Sequence, residues 1–431
     1  MNANGNKDTN IQWLGRIPAH WKLMPNKYIM TKIKEICPVY KDEPILSLSQ
    51  KGVIARDLDN PFGKMPKTFN GYQKVRKGNL LMCLFDIDVT PRCIGLIESY
   101  GLCSPAYSQF KLRDFAHSKY YYYYYLNLDF KKTLLHLAKN LRHSLTEEDL
   151  GKILTPVPPL NEQLAIAKFL DSKCAEIDAL TSDIEKQIET LQEYKKSVIT
   201  EAVTKGLDPN VKMQDSGVDW IGNIPNHWTI SKLLYQLSQP ITDGPHITPV
   251  FLDKGIPFIS AEAVSSGKID FSKLRGYISS EFYKLCCRKY TPQINDIYIV
   301  KSGATTGVSA IVEEKIKFQI WSPLAALRFN DHKVLPKFAL YVIKSNYFLR
   351  QIENAWSYGT QQNIGMRVIE KLKIAFPSLD EQQSIIEQLD TTCSQVDSTI
   401  DTKQKQLETL AKYKQSLIYE YVTGKKTVPN A

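Results

Sequence analysis

The chain of 431 residues contains nearly the same sequence twice, and this internal repeat limits its possible folds more than any other feature. A Trp-x-Gly-x-Ile-Pro-x-His-Trp motif at Trp13–Trp21 returns at Trp220–Trp228, an offset of 207 residues. A Pro-x-Leu-x-Glu-Gln motif at Pro158–Gln163 returns at Pro377–Gln382, an offset of 219 residues. Each half therefore has an opening motif, a variable unit and a third segment that begins with Pro-x-Leu-x-Glu-Gln.

That third segment predicts a long helix in both halves. Leu160 to Lys205 contains neither Pro nor Gly and is rich in Glu, Lys, Gln, Leu and Ile. Apolar residues recur every seven positions, which is the pattern of a coiled-coil seam, although Lys403 interrupts the second series. About 40 helical residues span roughly 60 Å, so we expect the two helices to pair as a rod between the units. The expected seam residues are Leu170, Ile177, Ile184, Ile188, Leu191, Val198, Leu389, Val396, Leu407, Leu410 and Leu417.

The variable units, of about 130–150 residues each, predict small domains of mixed structure. Short apolar runs alternate with Gly, Pro and Asp, a pattern typical of strands and turns. We therefore predict an α+β fold, mostly sheet, for each unit. The predicted strands are Ile45–Leu48, Gly78–Leu84 and Ile94–Ile97 in the first unit, and Ile256–Ile259, Asp296–Val300 and Gly307–Val312 in the second.

Charge is divided unevenly along the chain. The net charge is +10, but the two helical segments carry −3 and −4, which leaves +17 on the rest. Two basic units suit a polyanion such as double-stranded DNA, although a solvated charged surface has the same composition. No apolar run approaches the ~18–20 residues of a membrane span. The eight cysteines form no CxxC pair, and the polar N-terminus lacks an export signal, so we expect a cytoplasmic protein without a metal site.

The repeated motifs resemble those of the specificity subunit of type I restriction-modification systems. Arg142–Leu145 and Gly359–Ile364, each just before a Pro-x-Leu-x-Glu-Gln motif, add to the resemblance. It implies two tandem target-recognition domains, each reading one half of a split DNA site. They would be separated by two long helices paired as an antiparallel coiled coil, which sets the gap between the half-sites. The family's partners are two methyltransferase subunits and the restriction subunits.

The resemblance also implies that the chain has no catalytic residues or cofactor of its own. S-adenosylmethionine, ATP and Mg would belong to the partner subunits. The expected domain map is an opening segment 1–24, a first target-recognition domain 25–157, a first spacer helix 158–206, a linker and second opening motif 207–230, a second target-recognition domain 231–376, a second spacer helix 377–424 and a tail 425–431. Because the two variable units differ in sequence, we expect an asymmetric target.

The sequence itself contains no convincing catalytic constellation. It lacks the Asn-Pro-Pro-Tyr of amino-methyltransferases, a phosphate-binding Gly-x-x-x-x-Gly-Lys-Ser/Thr loop and HExxH. Asp296 with Glu313 and Glu314 faintly resembles a nuclease triad, but an acidic turn between strands is the simpler interpretation. A coiled-coil scaffold without DNA reading, and a stand-alone nuclease, remain alternatives to a DNA-reading subunit.

The first unit offers several candidate DNA contacts. Basic residues interleaved with aromatic ones suit a DNA-facing loop, and further polar residues occur at turns. A solvated surface, or a helix cap formed by Ser144 and Glu147, would explain some of the same residues. The candidates are Lys64, Lys67, Tyr72, Lys74, Arg92, Ser104, Tyr107, Arg142 and His143.

The second unit offers a Gly-rich segment, a turn and a polar stretch with two amides suited to adenine. Glycines permit close backbone approach, while lysine and hydroxyl groups bond phosphates or base edges. A plain loop or turn is the alternative interpretation for each. The candidates are Lys301, Ser302, Thr305 and Thr306; Asp243 and His246; and Tyr358, Thr360, Gln361 and Gln362.

Two aromatic features are predicted to be structural. The run of six tyrosines Tyr120–Tyr125 aligns with ordinary helix-core residues of the second half, which argues against base stacking. The four tryptophans of the opening motifs are expected to pack onto the domains because exposed pairs would be unusual. We therefore assign neither feature to a binding site.

Overall fold

The computed structural model describes residues 5–60, 65–138, 143–264, 267–355 and 363–429. The chain forms two compact units. Unit 1 comprises Met1–Ile184 with Gln404–Ala431, and unit 2 comprises Glu185–Lys403. Each unit therefore combines one variable domain with part of each long helix, a grouping that sequence order alone does not indicate. The sequence-based domain limits stay predictions.

Unit 1 begins with short strands and ends in part of the coiled coil. Its strands are β1 Asn6–Asp8, β2 Arg16–Pro18, β3 Lys22–Pro25, β4 Met30–Ile33, β5 Leu46–Ser49, β6 Gly52–Ala55, β7 Gln73–Val75, β8 Leu80–Met82, β9 Ile94–Leu96, β10 Gly101–Cys103, β11 Ser108–Leu112 and β12 Leu154–Val157. Its helices are α1 Asn26–Ile29, α2 Ser118–Phe130, α3 Glu147–Lys152 and the first part of α4 Leu160–Lys205, with a 3-10 turn at Thr133–Leu137.

Unit 2 begins with the last part of α4, and its strands follow in the chain. Its strands are β13 Met213–Asp215, β14 Asn223–Pro225, β15 Thr229–Lys232, β16 Thr242–Asp243, β17 Ile256–Ile259, β18 Gly276–Ile278, β19 Ile297–Val300, β20 Ser309–Ile311, β21 Gln319–Ile320, β22 Leu324–Leu327 and β23 Lys373–Phe376. Its helices are α5 Ala261–Val264, α6 Ser280–Cys287, α7 Pro336–Lys344, α8 Asn346–Asn354, α9 Met366–Ile369 and the first part of α10 Leu379–Val422, with a 3-10 turn at Leu233–Gln236.

Each domain is built on an antiparallel four-stranded sheet of the same topology. The strand order is β4-β11-β8-β9 in unit 1 and β16-β22-β19-β20 in unit 2. Hairpin β1-β2 corresponds to β13-β14, and the pair β3-β12 to β15-β23. The added sheets differ: unit 1 has pairs β5-β6 and β7-β10, whereas unit 2 has a three-stranded sheet β18-β17-β21. The predicted α+β fold and its strands are confirmed.

The tyrosine run forms the buried face of α2, as predicted. Five of its six side chains are buried in the main core of unit 1. The phenol of Tyr125 donates to Asn26 Oδ1 at 2.6 Å, and that of Tyr120 donates to the carbonyl of Val422 at 2.9 Å. These bonds satisfy polar groups that burial would otherwise leave without a partner, which is the usual condition for a buried tyrosine.

The opening motifs are bound to the start of a long helix. His20 Nε2 and Trp21 Nε1 lie 2.7 and 2.8 Å from the carboxylate oxygens of Glu162. The repeat reproduces the arrangement, because His227 and Trp228 contact Glu381 at 2.8 and 3.0 Å. The two motifs that recur in sequence are therefore partners in space. Among the other tryptophans, Trp220 departs from the packing expectation, since it is 40% exposed in a surface turn.

A buried glutamine follows each of these glutamates and fixes the preceding loops. Gln163 accepts from the backbone N–H of His117 at 2.8 Å and donates to the carbonyls of Phe115 and Pro158. In unit 2 the equivalent is Gln382, which accepts from the backbone N–H of Leu335 at 2.8 Å and donates to two carbonyls. Each amide uses most of its bonding capacity inside the protein.

Both long helices end at a glycine in the left-handed region, the usual helix C-terminal signal. Gly206 has a φ of +72° and packs beside Trp228 of the second opening motif. Gly424 has a φ of +68° and lies against the first opening motif, where an added Cβ would come within 2.4 Å of Pro18 Cδ. The helix ends are thus fitted to the opening motifs within each unit.

The helices pair antiparallel within each unit. In unit 2, Lys195 bonds Asp397 at 2.6 Å and Lys403 bonds Gln187, so the numbering falls on one helix as it rises on the other. In unit 1, Lys414 bonds Asp178, and Phe169 packs on Tyr421 with ring centroids 4.5 Å apart. None of the predicted seam residues is exposed: Leu170, Ile177, Leu389, Val396 and Leu417 are buried, whereas Ile184, Ile188, Leu191, Val198, Leu407 and Leu410 are partly buried. Ile400, which the heptad series did not include, is also buried.

Candidate nucleic-acid interface

Unit 1 presents two cations held by one carboxylate. Glu35 follows the edge strand β4, and its oxygens lie 3.2 Å from Lys74 Nζ and 2.7 Å from Arg76 Nη2. The hydrogen bonds that Arg76 and Lys74 donate lower the pKa of Glu35, and the bond that Lys74 donates to Glu35 raises the pKa of Lys74. Because both cations remain partly exposed, this Glu35 cluster presents an excess of positive charge to solvent.

Polar and aromatic candidates gather beside this cluster around the buried Gln73. The Gln73 amide donates to the carbonyls of Ser104 at 2.9 Å and Tyr107 at 2.6 Å. The Tyr107 ring stacks on Phe85, which is partly exposed, at 6.3 Å, and burial raises the pKa of Tyr107. The structure thus brings Ser104 and Tyr107 to the Gln73 amide, while Lys74, the next residue of β7, is held separately by Glu35.

The other candidates of unit 1 are more scattered. Tyr72 packs edge-on against Phe69, and Lys67 is exposed. His143 contacts Asp88 at 2.9 Å, and both are partly exposed. Arg92 turns onto the domain, with its guanidinium over Phe130 and 3.8 Å from Asp129. Lys64 and Arg142 lie outside the described residues.

Unit 2 presents a comparable but more buried arrangement, the Asp243 cluster, at its own edge strand β16. Asp243 is 1% exposed, and its carboxylate pairs with Lys289, with Lys301 at 3.0 Å and with His246 at 3.1 Å. Burial opposes ionisation, but the lysine contacts outweigh it and lower the pKa of Asp243. Lys289 and His246 are more than half exposed and Lys301 is 14% exposed, so the buried carboxylate holds one lysine and one histidine at the surface.

The Gly-rich segment begins at this cluster. Lys301 accepts a backbone bond from Ile364 at 2.8 Å, and Ser302 forms a bridge with Asn363. Thr306 Oγ1 donates to the carbonyl of Gly303 at 2.7 Å, closing the turn in which Thr305 is partly exposed. Tyr358, Thr360, Gln361 and Gln362 lie outside the described residues.

Asp296 does not lie in an exposed acidic turn. It is fully buried and forms a two-bond pair with Arg328 at 2.6 and 2.8 Å, while Tyr290 donates to the same carboxylate. Within the described ranges no group of three or more His, Cys, Asp or Glu residues is placed to hold a metal ion. The nuclease interpretation of Asp296 has no support in this arrangement.

A family model described as "Type I restriction modification DNA specificity domain" matches residues 97–190 and 250–411, more than half of the chain. The chain belongs to this family. The first matched segment covers the end of the unit 1 sheet and the first part of α4, and the second covers most of unit 2. The resemblance noted in the sequence is therefore confirmed.

Relatives within the specificity-domain family are distant. The chain is 28% identical to the type I restriction enzyme MjaVIII specificity subunit of Methanocaldococcus jannaschii over 64% of this chain and 63% of that protein. It is 24% identical to the EcoBI specificity subunit of Escherichia coli over 66% of this chain and 60% of that protein. The matches thus span about three fifths of these relatives. A solved structure described as "Structural basis underlying complex assembly and conformational transition of the type I R-M system" has the same fold, with a TM-score of 0.68, 17% identity and coverage of 95% of this chain and 99% of that one.

Family membership does not assign individual DNA contacts, so the DNA-binding residues stay predictions. Sequence reasoning missed Glu35 and Lys289, which complete the two clusters. Lys289 lies 46 residues from Asp243, and no local pattern joins them. No helix among the described residues is long and apolar enough to cross a membrane.

Proposed function

We propose that this chain is the sequence-specific DNA-binding subunit of a type I restriction-modification complex. Unit 1 reads one half of a bipartite, asymmetric site and unit 2 reads the other. The paired helices set the unread gap and dock two methyltransferase subunits, and restriction subunits join the complex. Because the matches span only part of the relatives' length, these roles rest on the arguments that follow.

The observation that carries the proposal is the cation cluster at the same place in both repeats. An acidic residue follows or ends the edge strand of each four-stranded sheet and pairs with two lysine or arginine side chains. Both cations are at least partly exposed in unit 1, whereas in unit 2 Lys289 is half exposed and Lys301 is 14% exposed. Side chains held in this way lose little conformational freedom on binding, and DNA phosphates are the natural partners of clustered cations. Phosphate contacts position a protein, whereas neighbouring polar groups read base edges.

In this proposal, partner subunits carry out the chemistry. S-adenosylmethionine, ATP and Mg would be bound there, and this chain would contribute no catalytic group and no cofactor. We place the complex in the cytoplasm, where its eight free cysteines would stay reduced.

The decisive experiment is methylation mapping in a host that expresses this chain with its methyltransferase, against a host without the chain. A new methylated motif in two parts, separated by unread bases, is the expected result. If the complex assembles with a competent methyltransferase and no new motif is found, the chain is a scaffold and the proposal fails.

Charge-removal variants test the clusters themselves. We expect Lys289→Gln to lower the affinity for the mapped DNA and to reduce the slope of log affinity against log salt by about 1. Arg76→Gln in unit 1 should act in the same way. Lys412→Gln is a matched control because it removes an exposed charge from the coiled coil. An unchanged salt slope in both cluster variants would show that the two clusters do not contact DNA phosphates.

A further inference from the structure

A cavity of about 270 Å³ lies within unit 2, away from the Asp243 cluster. It is formed where α7 packs on the unit 2 parts of the two long helices, with Gly267–Lys268 and the end of β20 beside it. Four lysines line it: Lys195, Lys268, Lys337 and Lys344. Three carboxylates line it as well, so the balance of charge depends on which groups neutralise one another.

Two of the carboxylates are already fully engaged. Asp397 accepts two bonds from Lys195, both of 2.6 Å. Asp390 accepts one bond from Lys337 and another from the phenol of Tyr341, each of 2.6 Å. The third carboxylate, Glu313, is exposed, and so is Lys268, so neither sets the charge of the interior. The interior of the cavity is therefore left with an excess of cation.

Lys344 is the residue that makes this excess. It ends α7 and has no hydrogen-bond or ion-pair partner among the residues that the structure describes. Burial lowers the pKa of Lys344, and the nearby Lys195 lowers it further. An ammonium group that is removed from water without a partner destabilises a folded protein, so a bound anion would relieve a real cost.

Unit 1 has the same framework without this cation. Lys119 and Tyr123 bond Asp171 at 2.5 and 2.9 Å, as Lys337 and Tyr341 bond Asp390. At the offset of 218 residues that relates these lysines and tyrosines, Lys344 corresponds to Leu126, which is 3% exposed in the apolar core. The fold therefore accepts a buried apolar side chain at this position. Packing alone does not explain why unit 2 has a lysine there.

We infer that this cavity of unit 2 is a binding site for a phosphate group, held chiefly by Lys344 with Lys195 beside it. Lysine binds phosphate as a compact charge with several donors. The volume accommodates a tetrahedral oxyanion together with some water. The phosphate belongs either to a free anion or nucleotide, or to the DNA backbone. The free-anion form does not depend on the proposed function.

The first test measures thermal unfolding of the full chain in sodium phosphate and in sodium chloride at equal ionic strength. A ligand that binds only the folded state raises the melting temperature. We expect phosphate to raise it for the wild type and for Lys412→Met, which removes an exposed cation, and to have no effect on Lys344→Met. Lys344→Met should fold at least as well as the wild type without phosphate, because it removes an unpaired cation. A rise in melting temperature for Lys344→Met that equals the rise for the wild type would overturn the site.

The second test separates the two sources of phosphate. If DNA supplies the group, free phosphate leaves the melting temperature unchanged, and Lys344→Met reduces the salt slope of DNA binding by about 1. If a free anion or nucleotide supplies it, the variant binds DNA as the wild type does. Absence of both effects refutes the inference. Failure of the wild type to bind DNA would count against the proposed function and leave the phosphate titration to decide.

Discussion

Unit 1 and unit 2 are nearly the same where a domain meets the long helices and differ in the small sheets that each domain adds to its four-stranded sheet. Glu162 and Glu381 make matching contacts with a histidine and a tryptophan, and Gln163 and Gln382 bond matching loops. The small added sheets, in contrast, have different strand orders and lengths. The contacts that hold a domain against the long helices therefore recur in both halves, whereas the added sheets do not.

The same contrast extends into the four-stranded sheets. Asn79, just before β8, makes a neutral amide bond of 2.8 Å with Gln109. Asp296, just before β19, makes a charged pair with Arg328. The residue before the equivalent strand is therefore a carboxylate in an ion pair in one unit and a neutral amide in the other, although the two partners lie at different positions of the neighbouring strand. Within one topology, polar core contacts can be exchanged as long as each group keeps its partner.

The largest predicted effect comes from breaking the ion pair of unit 2. We expect Asp296→Asn to destabilise unit 2 by about 3–5 kcal/mol, because Arg328 would keep its charge without a carboxylate. Asn79→Ala in unit 1 should cost only about 1–2 kcal/mol, since it removes a neutral bond. Hydrogen exchange measured peptide by peptide would report the free energy of opening for each unit. Equal losses in the two units would contradict the distinction between charged and neutral pairs.

The buried glutamines predict a symmetric result. Gln163→Met and Gln382→Met keep the side-chain volume but leave a backbone N–H and two carbonyls without their partner. Each variant should lower the opening free energy of its own unit by about 2–3 kcal/mol. The same exchange experiment applies, and each variant serves as the control for the other. A response confined to one unit would mean that the repeated motif has lost its structural role in the other.

The sequence predicted the framework better than the binding surface, for a physical reason. The two motifs and the seven-residue spacing of Leu170 and Ile177 are local patterns, so they predict a repeat and a long helix directly. That Trp21 would bond Glu162 could not be read from either motif, because the contact joins residues 141 positions apart. The pairing of Lys289 with Asp243 is likewise long-range, and neither residue type is distinctive where it occurs.

The two helix-ending glycines predict an asymmetric result. Alanine at either position adopts a left-handed conformation that costs about 1–2 kcal/mol. Gly206→Ala should cost about that amount, because the new Cβ would lie 3.2 Å from the Glu381 carboxylate, which can shift. Gly424→Ala should cost about 1 kcal/mol more, because the Cβ meets the rigid ring of Pro18. Urea denaturation of both variants measures the difference, and a larger loss for Gly206→Ala would show that the helix end of unit 1 adjusts freely.

The smallest predicted effect separates the two cation clusters by their response to pH. The pKa of Asp243 is lowered in the folded protein, so its contribution to stability is present above about pH 4 and disappears as the pH falls through the folded value. Asp243→Asn should therefore cost about 1 kcal/mol at pH 7 and progressively less toward pH 3. Glu35→Gln should change stability less at every pH, because Glu35 is exposed to solvent whereas Asp243 is buried. Urea midpoints at pH 7, 5 and 3 give the comparison. If the loss of stability in Asp243→Asn stays constant down to pH 3, the side chain of Asp243 stabilises the fold through its shape and not through its charge.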